Sequence, residues 1–407
     1  MLSEKSTEIV RATLPVIGAA IGDITPIFYQ RMFAARPDLI TDLFNRGNQA
    51  QGDQQKALAG AIAVYATLLV DPAAPSTGSV LGRIAHKHAS LGILPEQYAI
   101  VHEHLFAAIV EVLGEVVTPD VAAAWDEVYW HMAHDLVAAE TALYREAGVE
   151  GGDVWRDLVV SERRLESTDT VSFVLAAPDG SDLPPFSPGQ YVSVQVELPD
   201  GARQIRQYSL SWGPQRGQWR IGVRRILAAS TPTGTTLPAG EVSNHLYENA
   251  FEGDLLHVSL PFGDLALDDA DTPLLLVSAG IGCTPMLGML DHLAAGPAHR
   301  TVAVVHADRS PSRHAHRAEL KDLVDRLPDA ALHTWYEDAG TGAAQESRTG
   351  YVDLSEIDIA PGTTAYLCGP LPFMSAMRDA LVAREVPADR IHYETFGPDS
   401  WLVGAPA

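Results

Sequence analysis

SVLGRIAHKHASLGI, residues 79–93, carries two histidines two positions apart in a segment of helical period, and the phase of that period separates them. Leu81, Ile84, His88 and Leu91 fall on one apolar face, whereas His86 falls with Ser79, Arg83 and Ser90 on the polar one. His88 is therefore the inward histidine. Taken alone, the helix fits a hydrogen-bonded core histidine as well as a metal ligand, and neighbouring helices have to separate the two. Tyr129, Met132, Leu136, Glu140 and Leu143 line up on one stripe, putting a carboxylate on an apolar face where it needs a partner. Tyr98 heads the stripe Tyr98, Val101, Leu105, Ile109, with Pro95 marking the helix start. An inward Glu, Tyr and His are the materials that surround a metal ligand, with Glu140 accepting the proton of the ring nitrogen that does not bind metal. Tyr29 and the stripe Gln54, Leu58, Ala61, Tyr65 bring two polar groups to apolar surfaces, where they can donate to a bound diatomic ligand. Phe44, just past a helix end, can pack against a flat macrocycle or serve as plain core.

Outward from this segment, the texture of the 407-residue chain changes twice. Residues 1–150 are helical throughout, with apolar residues at three- and four-residue intervals. Residues 151–265 show short alternating runs such as YVSVQVEL (191–198) and WRIGVRR (219–225) between Pro and Gly turns, the pattern of an antiparallel β-barrel. Residues 266–407 alternate buried-strand runs (LLLVSAG, TVAVVH, AYLCG) with helical stretches, the pattern of an α/β parallel sheet. The junctions GVEGGD (148–153) and LDDADTP (267–273) are rich in turn formers, and LAASTPTGTTLPAG (227–240) reads as an inserted loop. The fold class is thus multidomain: all-α, then antiparallel β, then α/β. A formal charge of −24 argues against nucleic acid as a partner, because tracking a phosphate backbone needs clustered Lys and Arg. The apolar stretches read as too short to span a bilayer, no secretion signal is legible, and two cysteines are too few for a disulfide framework. The expectation is a cytoplasmic protein without a transmembrane segment, a monomer or weak dimer.

Two further motif sets carry chemistry. PGQY (188–191) and RQYSLS (206–211) lie on strand-like segments; Arg206 can bind a pyrophosphate, Tyr208 can cover a flavin ring face, and Ser209 can hydrogen-bond near the reactive ring nitrogen. GEVSNHL (240–246) adds Ser243 at an expected helix N-cap, a phosphate site. LLLVSAGIGCTPMLGML (274–290) places Gly280 and Gly282 after a buried strand and Pro285 in the first helical turn, so backbone can approach a diphosphate. This is Gly-x-Gly-x-x-Pro and not the dinucleotide fingerprint ending in Gly. YLCGP (366–370) ends another strand at the sheet's carboxyl edge, which aims Cys368 at a nicotinamide or leaves it a small buried hydrophobe. In HADRSPSRHAHR (306–317), Arg309, Ser310 and Arg313 can grip a ribose 2′-phosphate, with Asp308 as the only acidic residue at hand, so NADPH is expected to be at least accepted.

IFYQRMF (27–33), LFNRGNQAQGDQQKALAGAIAVYA (43–66), IAHKHASLGILPEQYAIVHEHL (84–105) and AETALY (139–144) together resemble the globin domain of bacterial flavohaemoglobins. The segment 155–262 resembles ferredoxin-reductase-type FAD domains, the 227–240 loop being its main departure, and HYETFGP (392–398) resembles the family's C-terminal signature. The resemblance implies haem b with His88 as proximal ligand, Tyr98 and Glu140 as its hydrogen-bonding partners, Lys87 near a haem propionate, and Tyr29, Gln54 and Leu58 around the distal pocket. It implies FAD on Tyr191, Arg206, Gln207, Tyr208, Ser209, Val242 and Ser243. It implies NAD(P)H on Gly280, Gly282, Cys283, Thr284, Pro285, Arg309, Cys368, Gly369 and Pro370. At the C-terminus it implies that Phe396, with Gly397, covers the flavin, and that Glu394 lies near the cofactor edges. The implied activity is nitric oxide dioxygenation: electrons pass from nicotinamide through FAD to haem, and O2 and NO give nitrate. The rival readings are an oxidase or peroxide reductase on the same electron path, and a haem-based gas or redox sensor.

Overall fold

The computed structural model describes residues 2–50, 52–71, 78–230, 236–296, 300–340 and 347–397. The helices of the first region are α1 (Glu4–Ala35), α2 (Pro37–Asp42), α3 (Arg46–Ala50), α4 (Asp53–Val70), α5 (Gly78–Leu91), α6 (Glu96–Leu113) and α7 (Pro119–Glu146). The longest two begin on side-chain caps that satisfy an otherwise orphaned N–H. Ser3 accepts from Ser6 in α1, and Thr118, followed by Pro119 at the first helical position, accepts from Val121 in α7. Their inward stripes meet in two adjoining cores. One gathers Val10, Tyr65, Leu81, Tyr98, Trp125 and Leu136; the other gathers Ile24, Phe28, Tyr29, Met32, Leu105 and Ile109. Removing each such side chain from water is worth about 1.5–3 kcal/mol, which selects these faces over the polar ones. By length and apolarity α1 alone among the described helices reaches the measure of a membrane span, against the sequence expectation that no stretch does. In the fold its stripe Val10, Ile17, Ile24, Phe28 and Met32 lies in the helical cores.

Six strands form an antiparallel sheet: β1 (Trp155–Ser167), β2 (Thr170–Ala176), β3 (Tyr191–Glu197), β4 (Arg203–Ser209), β5 (Trp219–Arg224) and β8 (Leu255–Ser259), in the order β4-β3-β8-β1-β2-β5. The described ends of the 227–240 loop, β6 (Ala229–Ser230) and β7 (Thr236–Leu237), pair with each other; residues 231–235 lie outside the described residues. Helix α8 (Glu241–Asn249) follows.

A parallel sheet completes the chain. Its strands are β9 (Leu274–Ala279), β10 (Val302–Asp308), β11 (Ala330–Tyr336), β12 (Arg348–Thr349), β13 (Thr364–Cys368) and β14 (Ile391–Glu394), with helices α9 (Cys283–Ala295), α10 (Arg317–Asp325) and α11 (Leu371–Ala383). The order β12-β11-β10-β9-β13-β14 reverses direction at β9, so the connections after β9 and β13 leave to opposite sides. That reversal opens a crevice beyond the carboxyl ends of β9 and β13, the place where open α/β sheets bind ligands. By contact the chain forms two compact units. Residues up to Trp155, with Glu197–Ile205 and the chain from Phe396, belong to one; Arg156–Val196 and Arg206–Thr395, carrying most of both larger sheets, belong to the other.

Candidate functional site

In the helical unit the structure joins the three residues that helical phase turned inward. His88 Nδ1 lies 2.8 Å from Glu140 Oε1 and 3.0 Å from the Tyr98 hydroxyl, which itself donates to the same Oε1 at 2.5 Å. Glu140 is 2% exposed although α7 is otherwise amphipathic, and these two donors are what make that burial tolerable. A carboxylate only accepts, so Nδ1 carries an imidazole hydrogen, which in the neutral ring leaves the lone pair on Nε2. Nε2 has no hydrogen-bond partner among the described residues. Burial, reinforced by the Glu140 charge, pushes the Tyr98 phenol far up, so it stays a donor. Tyr129, which the sequence placed on the stripe without a role, donates from its hydroxyl to the Tyr98 carbonyl at 2.6 Å and pins the start of α6. Ser90 departs from its expected polar position: it is buried, because its hydroxyl turns back to the Lys87 carbonyl at 2.8 Å. Lys87 is half-buried.

A second cluster holds the residues expected around a bound diatomic ligand. Tyr29 is buried, Phe44 stands edge-on to it at 5.9 Å, and Leu58 packs against the same core. Gln54 and Gln49 lie beside the hydroxyl of Tyr29, whose phenol burial pushes up, and Gln49 Nε2 is buried with no hydrogen-bond partner among the described residues. Sequence reading missed Gln49, because it lies in the short α3, too brief to show a periodic face.

In the second unit, Arg206, Gln207 and Tyr208 are half-buried along β4 and Ser209 is buried at its end. Ser209 Oγ is shut off from solvent with no hydrogen-bond partner, a donor awaiting an acceptor. Gln207 is braced by the Ser193 hydroxyl at 3.1 Å, and burial raises the Tyr208 phenol. Tyr191 is buried and pairs with Phe262 across a β-bridge, so its ring packs inward. The N-cap of α8 is Gly240 and not Ser243; Ser243 is the third helical residue, and Val242 before it is buried core. The Ser243 Oγ folds back over Gly240, onto the place a Cβ there would take.

The β9 turn occupies the predicted crevice. Gly280 is required by its φ of +57°, and Gly282 by backbone approach, since a Cβ there would overlap the Cys368 carbonyl. Gly369 and Pro370 continue from Cys368 into α11, and Thr284 and Pro285 are buried in the first turn of α9. Both cysteines are buried and unpaired with each other; burial pushes the Cys283 thiol up to about 12 and Cys368 upward as well, so neither is a thiolate. Among the ribose-phosphate candidates, Arg313 is committed to Asp169 at 2.5 Å, and Asp308 is tied to its neighbour's N–H at 2.7 Å and to Arg224 at 3.4 Å. Arg309 is exposed at the end of β10. Glu394 is buried at the end of β14, Phe396 is 47% exposed, Gly397 is half-buried, and Pro398 lies outside the described residues.

Residues 27–136 match the family described as Globin, 157–266 the oxidoreductase FAD-binding domain, and 276–379 the oxidoreductase NAD-binding domain. A flavohemoprotein of Chromobacterium violaceum is 43% identical over 98% of this chain and 98% of its own. One of Bordetella pertussis is 43% identical over 98% of this chain and 99% of its own. The chain belongs to the flavohemoprotein family. Among solved structures, the flavohemoglobin of Malassezia yamatoensis, with bound FAD and heme, matches with a TM-score of 0.86 at 36% identity, over 97% of this chain and all of its own (100%). The FAD/NAD-binding domain of nitric oxide dioxygenase from Vibrio cholerae matches with a TM-score of 0.54 at 34% identity, over 60% of this chain and 99% of its own.

As a flavohemoprotein the chain takes haem, FAD and a nicotinamide nucleotide, and its residues fit all three. The Nε2 lone pair of His88 suits an iron, the orphaned Ser209 hydroxyl suits a flavin ring acceptor, and the Gly280–Gly282 turn leaves room where a diphosphate must approach.

Proposed function

We propose that this chain is an NAD(P)H-dependent nitric oxide dioxygenase, detoxifying NO by converting it with O2 to nitrate. It is built as modules 1–150, 151–265 and 266–407 and works in the cytoplasm as a monomer or weak dimer. The observation that carries the reading is the His88–Glu140–Tyr98 constellation in one chain with FAD- and NAD-binding modules. When bound, the nicotinamide supplies hydride, FAD splits the pair into single electrons, and haem iron supplies the O2-reactive centre.

The chain's own residues set the stage. Glu140 holds the Nδ1 hydrogen of His88 and raises the electron density that Nε2 offers. Tyr98 keeps its proton on Glu140 and fixes which way the carboxylate faces. Tyr29, kept protonated by burial, would offer its hydroxyl hydrogen on the distal side, where negative charge would build up on a diatomic ligand. Arg206, Tyr208 and Ser209 hold and orient the flavin, and the Gly280–Gly282 turn seats the nicotinamide nucleotide. Because Asp308 is already engaged, it offers no free carboxylate to a ribose hydroxyl, which supports acceptance of NADPH through Arg309 and Ser310.

The decisive experiment adds NADH or NADPH anaerobically, records flavin and haem reduction, then supplies O2 and NO and counts nitrate. Stoichiometric nitrate at the expense of NAD(P)H is expected. Peroxide formation with slow NO consumption overturns the reading in favour of an oxidase, and flavin reduction that never reaches haem overturns it in favour of a sensor. Tyr29→Phe is expected to speed O2 release and slow turnover; unchanged O2 dissociation removes Tyr29 from the distal role.

A further inference from the structure

At the corner between α2 and α3, one amide from outside the helices makes four hydrogen bonds. Gln204 is 1% exposed; its Nε2 donates to the carbonyls of Ile40 at 3.2 Å, Thr41 at 3.0 Å and Phe44 at 3.2 Å, while its Oε1 accepts from the Arg46 N–H at 3.2 Å. Ile40 and Thr41 lie in the last turn of α2, where helical hydrogen bonding leaves carbonyls without partners. Gln204 thus takes up carbonyls at that end of the helix from a residue about 160 positions away in sequence. Two ion pairs flank it, Arg203 to Asp42 at 2.6 Å and Arg46 to Asp200 at 2.6 Å. The corner it closes carries Phe44, whose ring is edge-on to Tyr29 at 5.9 Å and to Phe33 at 5.3 Å.

Gln204 stands two residues before Arg206 and four before Tyr208 on one strand, β4. A buried glutamine is a costly way to fill space, since an amide group whose partners shift away keeps its full desolvation penalty. An apolar side chain would pack there without that demand, but it would not hold the corner in one position. We propose that Gln204 is a positioning residue that couples the two cofactor sites: FAD held by β4 fixes Gln204, and Gln204 fixes Phe44 against Tyr29 on the distal side of the haem. The proposal rests on the haem and FAD assignments above.

Coupling of this kind is reciprocal, so a haem ligand must change FAD affinity by the same factor as FAD changes the ligand's. The test measures FAD dissociation from the ferrous haem-loaded full chain, with and without carbon monoxide as the haem probe. In the unsubstituted protein the two FAD affinities are expected to differ by about fivefold or more, the lower end of ordinary coupling. In Gln204→Met, which keeps the length but not the donors, the ratio is expected to fall to about one, as lost coupling requires. A ratio of one in the unsubstituted protein, or an unchanged ratio in Gln204→Met, overturns the proposal. Should Gln204→Met fail to fold, Arg203→Ala removes only an exposed ion pair and is expected to lower the ratio in part; no change there overturns it equally. Failure of the underlying assignments would look different, as a chain that binds no haem or no FAD at all.

Discussion

The proposed haem site and the proposed nicotinamide site are built from different parts of the chain. In the helical unit the working groups are side chains, His88, Glu140 and Tyr98, carried on regular helices whose backbones are interchangeable. At the end of β9 the working group is the backbone, and the side chains matter mainly by being absent, at Gly280 and Gly282. A side-chain site tolerates changes to the scaffold but not to the functional atoms. A backbone site has the opposite tolerance.

Substitutions can break that contrast, and the largest effect belongs to Gly282→Ala. Its methyl group would overlap the Cys368 carbonyl, with backbone on both sides and no flexible side chain to yield. Displacing the turn by an ångström is expected to slow flavin reduction by NAD(P)H about 100-fold, measured by stopped flow, with haem absorbance intact. Near-normal flavin reduction would show that the turn does not seat the nucleotide. Glu140→Gln comes next. It keeps the acceptor for Nδ1 but removes the charge, and a change in the shell around a metal ligand costs about 10–100-fold in activity. NO turnover is expected to fall in that range while flavin reduction stays fixed; a parallel fall in both would end the separation of the two sites.

A third measurement sharpens the comparison through pH. Burial, then the Arg224 charge, pushes His306 on β10 down from 6.5 to about 3. Its neighbour His314, stacked on it at 4.0 Å, is pushed down to about 2, again chiefly by burial. Both stay neutral in the fold, whereas the unfolded chain takes up protons below its ordinary imidazole value near 6.5. Stability carried by these groups is therefore present above pH 6.5 and lost as pH falls toward 3, by about 1.4 kcal/mol per pH unit for each imidazole. Thermal melts of His306→Gln are expected to depend less steeply on pH across that window; an equal slope would show that His306 is not buried neutral. The smallest effect is expected at Gly18 in α1, where an added Cβ meets nothing. Gly18→Ala should stabilise the chain by about 0.5–1 kcal/mol, read from the melt with NO turnover unchanged. A loss of stability there would mean that the helical scaffold is less tolerant than the contrast requires.

The same contrast explains which features are legible in the sequence. Helical period alone separates His88 from His86 and puts Glu140 on an apolar face, because a regular helix maps sequence spacing directly onto direction. It fails at Ser90, whose hydroxyl bonds the backbone of its own helix and so can enter the interior. It is silent about Gln49, on a helix too short to have a phase, and about Gln204, whose partners lie about 160 positions away in sequence. The expected cap at Ser243 falls three residues past the true one at Gly240, because the helix starts earlier than the Ser243 hydroxyl suggests.

By itself, the sequence determined the three successive textures, the inward histidine, the glycine turn after β9 and the family to which these belong. All of these rest on local periodicity or on residues adjacent along the chain. Only the tertiary structure decided that Glu140 and Tyr98 share one oxygen with His88, that Asp308 and Arg313 are already taken by partners, and that one glutamine from β4 closes the corner carrying Phe44. Those are contacts between groups far apart in sequence. Their geometry is set by packing, which no one-dimensional spacing encodes.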